Sequence, residues 1–332
     1  MHLLIPFASC DSGECQQTLA GLKLPNLDKL LNRLVETGRD EADETTLSPP
    51  HERALAAVWG LTANGQTAKD GQLPWAAWQV AKKAQSGHPV ANKTAGAAWA
   101  IITPCQWAVQ TGHITMTDPA TLQLSDSDSR ALLAAMAPYF EEDGIHLEYD
   151  SPTHWLAQGD IFRGLATASL DRVTGRDIHD WFPKAEKAKL LRRLQNEMQM
   201  LLYTHPITDA RAERGLPPVN SFWVSGTGAL PARPIRFEPV ENKSVTMPTT
   251  LRDTALAENW PAWAQAWQEI DNQECAGLLA AFSAKQHVEL TLCGERSAQN
   301  FGSGTYTILS QISAHFRGVL GLKRFTDKRK QL

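Results

Sequence analysis

The chain lacks any run of the roughly 18 apolar residues that a bilayer-spanning helix needs, so a soluble protein with no membrane partner is expected. A surplus of basic charge is also missing. The formal net charge is −4, whereas a nucleic-acid surface needs a basic stripe, which excludes nucleic acid as a partner. Cysteine is sparse: Cys10, Cys15, Cys105, Cys275 and Cys293 are odd in number and scattered, which excludes a disulfide framework and suits a reducing cytoplasm. Cys10 and Cys15 enclose Asp11 and Glu14, but no second ligand pair at zinc spacing follows, so no metal site is assigned there. Gly302-Ser303-Gly304-Thr305 lacks the lysine and spacing of a P-loop and is read as a flexible loop. The basic cluster Lys323, Arg324, Lys328, Arg329 and Lys330 is read as a solvated tail.

What is present is enough for a full core. The 332 residues are 42% hydrophobic and leave room for two lobes. The run Leu3 to Ala8, ending at Cys10, faintly resembles a lipoprotein signal, but it has no basic leader and is too short, so a first, central buried strand is expected. Leu27, Leu30, Leu31 and Leu34 carry a helical period with Asn26 as N-cap. Trp75 and Trp78 are read as core or interface aromatics, because the interleaved cations of a base-stacking surface are absent. Ser125 caps a helix through Phe140, and Ile145 to Tyr149 pairs with His154 to Ala157 as strands.

The stretch from Thr167 to Pro231 is the most informative. Leu190, Leu191, Leu194, Met198, Leu201 and Leu202 recur at helical spacing, with Arg192, Arg193, Gln195 and Gln199 on the other side. Pro206 ends this helix or opens a second short one, and Gly215 stands where a left-handed cap belongs. Phe222 to Val224 form a short strand that ends in a Gly226-Thr227-Gly228 loop. Arg233 to Asn242 is read as extended chain, Trp260, Trp263 and Trp267 share a helical face, and Val288 to Cys293 is a strand.

His205-Pro206, Arg211, Gly215, Pro218, Asn220 and Gly226-x-Gly228 resemble the archaeal-type cofactor-independent phosphoglycerate mutases, of the alkaline-phosphatase-like superfamily. Thr174-Gly175-x-Asp177-Ile178-x-Asp180-Trp181-Phe182-Pro183 and Leu24-Pro25-Asn26-Leu27-Asp28-Lys29-Leu30 are similar to two further segments of that family. Thr208 departs from it, standing where the family usually has asparagine. The resemblance implies an α/β fold: an alkaline-phosphatase-like core sheet with helices on both faces, built from residues 1–95 and 229–332, and an inserted smaller α/β lobe at 96–228.

The chemistry of that family implies a phosphoserine and two divalent ions, because a serine hydroxyl is a poor nucleophile until a metal activates it. Here the strand-end acid is replaced by Pro6-Phe7-Ala8-Ser9, and His51-Glu52 stand at the nucleophile position. No histidine follows Asp253 at the metal spacing, and Gly294-Glu295 replace an Asp-His pair. The expected function is therefore a non-catalytic, phosphoglycerate mutase-like binding or regulatory protein, without cofactor. A small phosphorylated acid is its expected ligand, with a protein partner as the other candidate. His205, Arg211, Arg214 and Asn220 are the ligand-binding candidates, since a guanidinium fork matches phosphate or carboxylate; the competing reading is that they serve the helix-to-strand turn and surface pairing. Two alternatives stand beside this. One is an active mutase or phosphatase using two divalent ions, Mn or Zn, around His51, Asp11, Glu14 or Glu295. The other is a tryptophan-rich interaction protein with Trp260, Trp263 and Trp267 exposed.

Overall fold

Strand β1 (His2–Ile5) is buried along its whole length, and its alternating side chains feed two different cores. It pairs in parallel with β10 (Glu289–Cys293) on one side and with the short β9 (Val245–Thr246) on the other. The antiparallel strands β11 (Ala298–Gly302) and β2 (Val35–Asp40) complete a mixed five-stranded sheet. Leu3 and Ile5 face α1 (Gly13–Gly21), α2 (Pro25–Arg33) and the helical segment α10 (Trp260–Ile270). Leu4 faces α3 (Pro50–Val58) through Ala54 and Leu55. Helices therefore cover both faces, as expected for an α/β core, and α9 (Thr250–Leu256) packs on the first of them.

This computed structural model describes residues 1–61, 69–85, 96–230 and 244–304. The chain divides into two units, one formed by Met1–Glu44, Pro49–Trp59 and Glu238–Leu332, the other by Thr45–Ser48 and Gly60–Phe237. The expected boundary after residue 95 lies at the edge of a stretch outside the described residues. The division falls instead near residue 60, because α4 (Trp75–Gln85) packs Ala76, Ala77 and Val80 against Trp99 and Leu156 of the second unit. The expected boundary after Gly228 falls inside a strand. Arg233 to Asn242, the basic cluster near the C-terminus and Thr305 also lie outside the described residues.

In the first unit α10 runs on through a π-helical turn at Asp271–Cys275 into α11 (Ala276–Ser283). The wide turn aims the buried Asp271 carboxylate at the start of α2, where it accepts from Asn26 N at 3.2 Å and Leu27 N at 2.7 Å. Asn26 is thus not the N-cap expected from sequence. The helix starts at Pro25 after Leu24, and the Asn26 amide itself donates to Asp271. Trp263 and Trp267 are fully buried and meet edge to face, Trp263 also contacting Trp260 the same way. The alternative reading with Trp260, Trp263 and Trp267 exposed does not hold, because Trp263 and Trp267 are buried in the core of the first unit.

The second unit holds an antiparallel sheet in the order β6 (His146–Ser151), β7 (His154–Gln158), β3 (Ala98–Cys105), β8 (Ser221–Ala229), with a separate hairpin of β4 (Trp107–Gln110) and β5 (His113–Met116). Helices α5 (Asp126–Glu142), α6 (Leu170–Val173), α7 (Ala188–Tyr203) and α8 (Pro206–Glu213) belong to it. Ser125 caps α5, and Pro206 is the first residue of α8. Gln195 is a correction. It is buried on the packed side of α7 and donates to Phe222 O at 3.1 Å, which satisfies a polar group inside the core. The Gly226-Thr227-Gly228 stretch is a second correction, for it is a bulged part of β8 rather than a loop beyond the strand. Gly226 sits at φ +60°, and a Cβ there would lie 3.1 Å from Trp75 Cβ and 2.9 Å from Ile101 Cδ1. Glycine lets α4 lie directly on the strand.

Candidate functional site

Phe7, from the stretch after β1, and His51 come together in the first unit. Phe7 follows β1 in the left-handed region, at φ +52°, a conformation costly for an aromatic residue and kept only where its surroundings hold it. Trp263 Nε1 donates to Phe7 O at 3.1 Å, and the Phe7 ring lies 5.7 Å from the imidazole of His51. His51 is buried in the first turn of α3. At the end of β1 the chain presents an aromatic ring packed on another ring.

The other acids weighed from sequence lie on the loops nearby. Asp11 N donates to Glu295 Oε2 at 3.1 Å, while the Asp11 carboxylate pairs with Arg296 at 2.9 Å. Glu14 is in the exposed first turn of α1. Arg53 bonds Asp40 at 2.7 Å and Arg296 O at 3.3 Å, fixing α3 to the sheet edge. All five thiols are free and buried. The hydrogen bond that Cys10 gives to Cys15, then burial, raises the Cys10 thiol, and the same bond lowers that of Cys15.

Of the ligand candidates the structure brings Arg211 and Arg214 together on Asp128, while His205 stands at the other end of α8 and Asn220 pairs with Trp107, and most of their polar atoms are engaged by the protein. Arg211 is 1% exposed. Its Nε and Nη2 donate to Pro217 O at 3.0 and 2.9 Å, Nη2 also to Leu122 O at 2.5 Å, and Nη1 to Asp128 at 3.0 Å. Arg214 donates to the same Asp128 oxygen at 2.7 Å, but its side chain is 46% exposed. Burial would raise the Asp128 carboxyl, and the hydrogen bonds from Arg214 and Arg211 outweigh it, so Asp128 titrates below the ordinary carboxylate range. His205 caps α8, Nδ1 accepting from Ile207 N at 3.3 Å. Asn220 takes Trp107 N at 2.8 Å and gives to Trp107 O at 3.0 Å, in the manner of a paired strand.

Sequence reasoning missed three features. Asp128 and Asp271 work through partners far away in sequence, which local pattern does not reveal. The third is a cavity of about 590 Å³ between α4 and the β6–β7 hairpin, lined among others by Lys82, Lys83, Asp150 and His154. The spacing of Trp78 with Lys82 and of Gln79 with Lys83 was the only hint of it available.

Comparison with known proteins follows the same direction as the motifs. A protein of Geobacter sulfurreducens described as a probable 2,3-bisphosphoglycerate-independent phosphoglycerate mutase is 28% identical over 122 residues, 36% of this chain and 30% of that one. The 2,3-bisphosphoglycerate-independent phosphoglycerate mutase of Methanothrix thermoacetophila is 32% identical over 68 residues, 20% of this chain and 17% of that one. The chain is a divergent relative of the cofactor-independent phosphoglycerate mutases. Its matches span less than a third of the length of these curated relatives. No protein-family profile matches it. Among solved structures, the cofactor-independent phosphoglycerate mutase of Thermoplasma acidophilum aligns over 92% of this chain and 90% of its own, at 13% identity and a TM-score of 0.37. A Pyrococcus horikoshii protein aligns over 91% and 87%, at 12% identity and 0.44.

Relationship to the phosphoglycerate mutases implies a pair of divalent ions, and the described residues do not offer the cluster that such a pair needs. Such ions need several carboxylates and imidazoles converging on one point. Among the described residues no three His, Cys, Asp or Glu side chains converge in that way. At the strand end stands Phe7, and the Asp11 carboxylate is turned onto Arg296.

Proposed function

We propose that this phosphoglycerate mutase-like chain is a non-catalytic binding or regulatory protein with a small phosphorylated acid as its ligand. The observation that carries the reading is the packing of Phe7 on His51. Turnover by the family's route needs a metal-activated hydroxyl, and this centre has an imidazole against a phenyl ring in place of a serine against a carboxylate. The alkaline-phosphatase-like architecture implied by the relationship accords with a core sheet covered on both faces. In the ligand corner the role of Arg211 is to hold Asp128 and the chain around Pro217, and Arg214 is the guanidinium that reaches solvent for a phosphate or carboxylate. Five free thiols support the cytoplasmic reading.

Calorimetry with 2- and 3-phosphoglycerate tests the ligand. Saturable heat, lost in Arg214→Ala, supports it, and no heat at millimolar concentration leaves a protein-partner role. A coupled mutase assay with added manganese, together with metal analysis of the purified protein, tests silence. Stoichiometric metal with turnover abolished by His51→Ala would overturn the proposal.

A further inference from the structure

Two of the five thiols are neighbours in space as well as in sequence. Cys10 closes the stretch that follows β1, Cys15 lies in the first turn of α1, and both belong to the same apolar core. Cys10 donates a hydrogen bond to Cys15, so the two sulfurs face each other inside that core. Local bonds fix both ends of the turn. The Ser12 hydroxyl caps α1 by accepting from Cys15 N at 3.1 Å, while Gln16 Nε2 donates to Cys10 O at 2.5 Å and to Ser9 Oγ at 3.1 Å.

The pair is buried beneath a thin cover. Cys10 is 4% exposed and Cys15 is fully buried, yet every residue between them, Asp11 to Glu14, is exposed, and a Cβ on Gly13 would meet only open space. A small neutral oxidant therefore has a single exposed turn to pass. The remaining thiols are placed differently. Cys105 and Cys293 lie on strands, Cys275 lies within a continuous helical segment, and burial raises all three.

We propose that Cys10 and Cys15 are a peroxide-sensitive pair that closes reversibly into an intrachain disulfide. Cys15 is the attacking sulfur. The bond from Cys10 outweighs both burial and the nearby Glu295 and Asp11 carboxylates, so Cys15 titrates below the ordinary thiol range, and its place in the first turn of a helix acts in the same direction. Its thiolate attacks one oxygen of hydrogen peroxide, forming the S–O bond of a sulfenic acid as the O–O bond breaks and hydroxide leaves. The proton that Cys15 gave up on ionising converts this hydroxide to water. The Cys10 sulfur then attacks Cys15, forming the S–S bond as the S–O bond breaks, and the departing oxygen takes the Cys10 proton and leaves as a second water. Peroxide is reduced to two waters, and each sulfur is oxidised by one electron. Closure ties the chain after β1 covalently to the first turn of α1, across the turn whose Asp11 holds Glu295 and Arg296. A thiol reductant reverses it by exchange.

The test treats the folded full chain with hydrogen peroxide, blocks the remaining thiols with iodoacetamide and reads the tryptic peptides by mass spectrometry. Residues 1–22 contain no Lys or Arg, so both sulfurs fall in one peptide ending at Lys23, and closure appears as the loss of two hydrogens from it. The pair is expected to close at least about tenfold faster than Cys105, Cys275 or Cys293 is modified, the scale on which thiolate populations of differently placed cysteines differ, and dithiothreitol should restore both thiols. In Cys10→Ser, oxidation of Cys15 should stop at the sulfenic acid, which dimedone traps. In Cys15→Ser, the remaining Cys10 thiol should react at least about tenfold more slowly than the native pair closes. The comparison within the unmodified sequence decides the matter even where a variant fails to fold. A pair that survives peroxide as long as the other three thiols, or that passes to sulfinic or sulfonic acid without forming the disulfide, overturns the proposal. Neither result touches the ligand or the question of turnover, which calorimetry, metal analysis and the mutase assay decide.

Discussion

Phe7 and His51 meet ring to ring at 5.7 Å and 46°, at the end of the strand around which the first unit is built. Both residues are buried, so it is an aromatic contact inside a core. Phe7→Ala is expected to cost about 3 kcal/mol, the usual loss for deleting a buried phenyl ring, and urea denaturation followed by circular dichroism would measure it. A loss under about 1 kcal/mol would mean that the ring is not packed as described.

Arg211 and Arg214 share one carboxylate but should differ sharply in worth. Arg211→Ala strands two carbonyls and weakens the hold on Asp128, a loss of about 3 kcal/mol. Arg214→Ala removes a half-exposed partner and should cost under about 1 kcal/mol. Denaturant midpoints of the two variants decide this. Because Asp128 titrates low in the folded chain, its contribution is fully present above the ordinary carboxylate pKa and is lost as pH falls.

Asp271 caps a helix that lies 244 residues earlier in the chain. Asp271→Ala leaves the Asn26 and Leu27 amides without this acceptor, at an expected cost of about 2 kcal/mol. Asp271→Asn keeps one acceptor and should recover part of it. Hydrogen exchange in the first turn of α2 would report the loss locally.

His154 gives a pH signature. Its pKa falls from 6.5 in the unfolded chain to about 4 when folded, so between those values the unfolded state holds more protons and stability rises with pH. The contribution is fully present above pH 6.5 and is lost as pH falls toward 4, amounting to about 3 kcal/mol. Unfolding free energy measured from pH 7 to pH 4 should be flatter by that amount in His154→Gln, which removes the titrating group.

Gly226→Ala should cost about 2 kcal/mol. The substitution forces an L residue to φ +60° and sets a methyl 3.1 Å from Trp75 Cβ, where helix and strand are already in contact. Thermal unfolding would show it, and Gly215→Ala makes a control, since a Cβ there meets only open space and carries the backbone strain alone.

Much of the architecture was legible because it rests on local pattern. The apolar run at Leu3 to Ile5, the stripe of α7, Ser125 before α5 and Gly215 after α8 each state their own structure through periodicity, capping or the sign of φ. The dipeptides around His205, Gly215 and Asn220 carried the relationship to the mutases. Gln195 was misplaced because a helical wheel assigns a polar residue to water, and only a neighbouring carbonyl of β8 makes its burial affordable. Asn26 has the residue type of a cap, but the acceptor that caps α2 is Asp271, from a distant segment.

The amino-acid order alone therefore determined the elements and the likeness to the mutases, since each is a property of neighbours along the chain. Tertiary structure decided what those residues do. A ring at a strand end becomes a packed core, a guanidinium becomes a buried clamp, and two lysines become one wall of a cavity, because burial and partners are set by contacts between segments far apart in sequence.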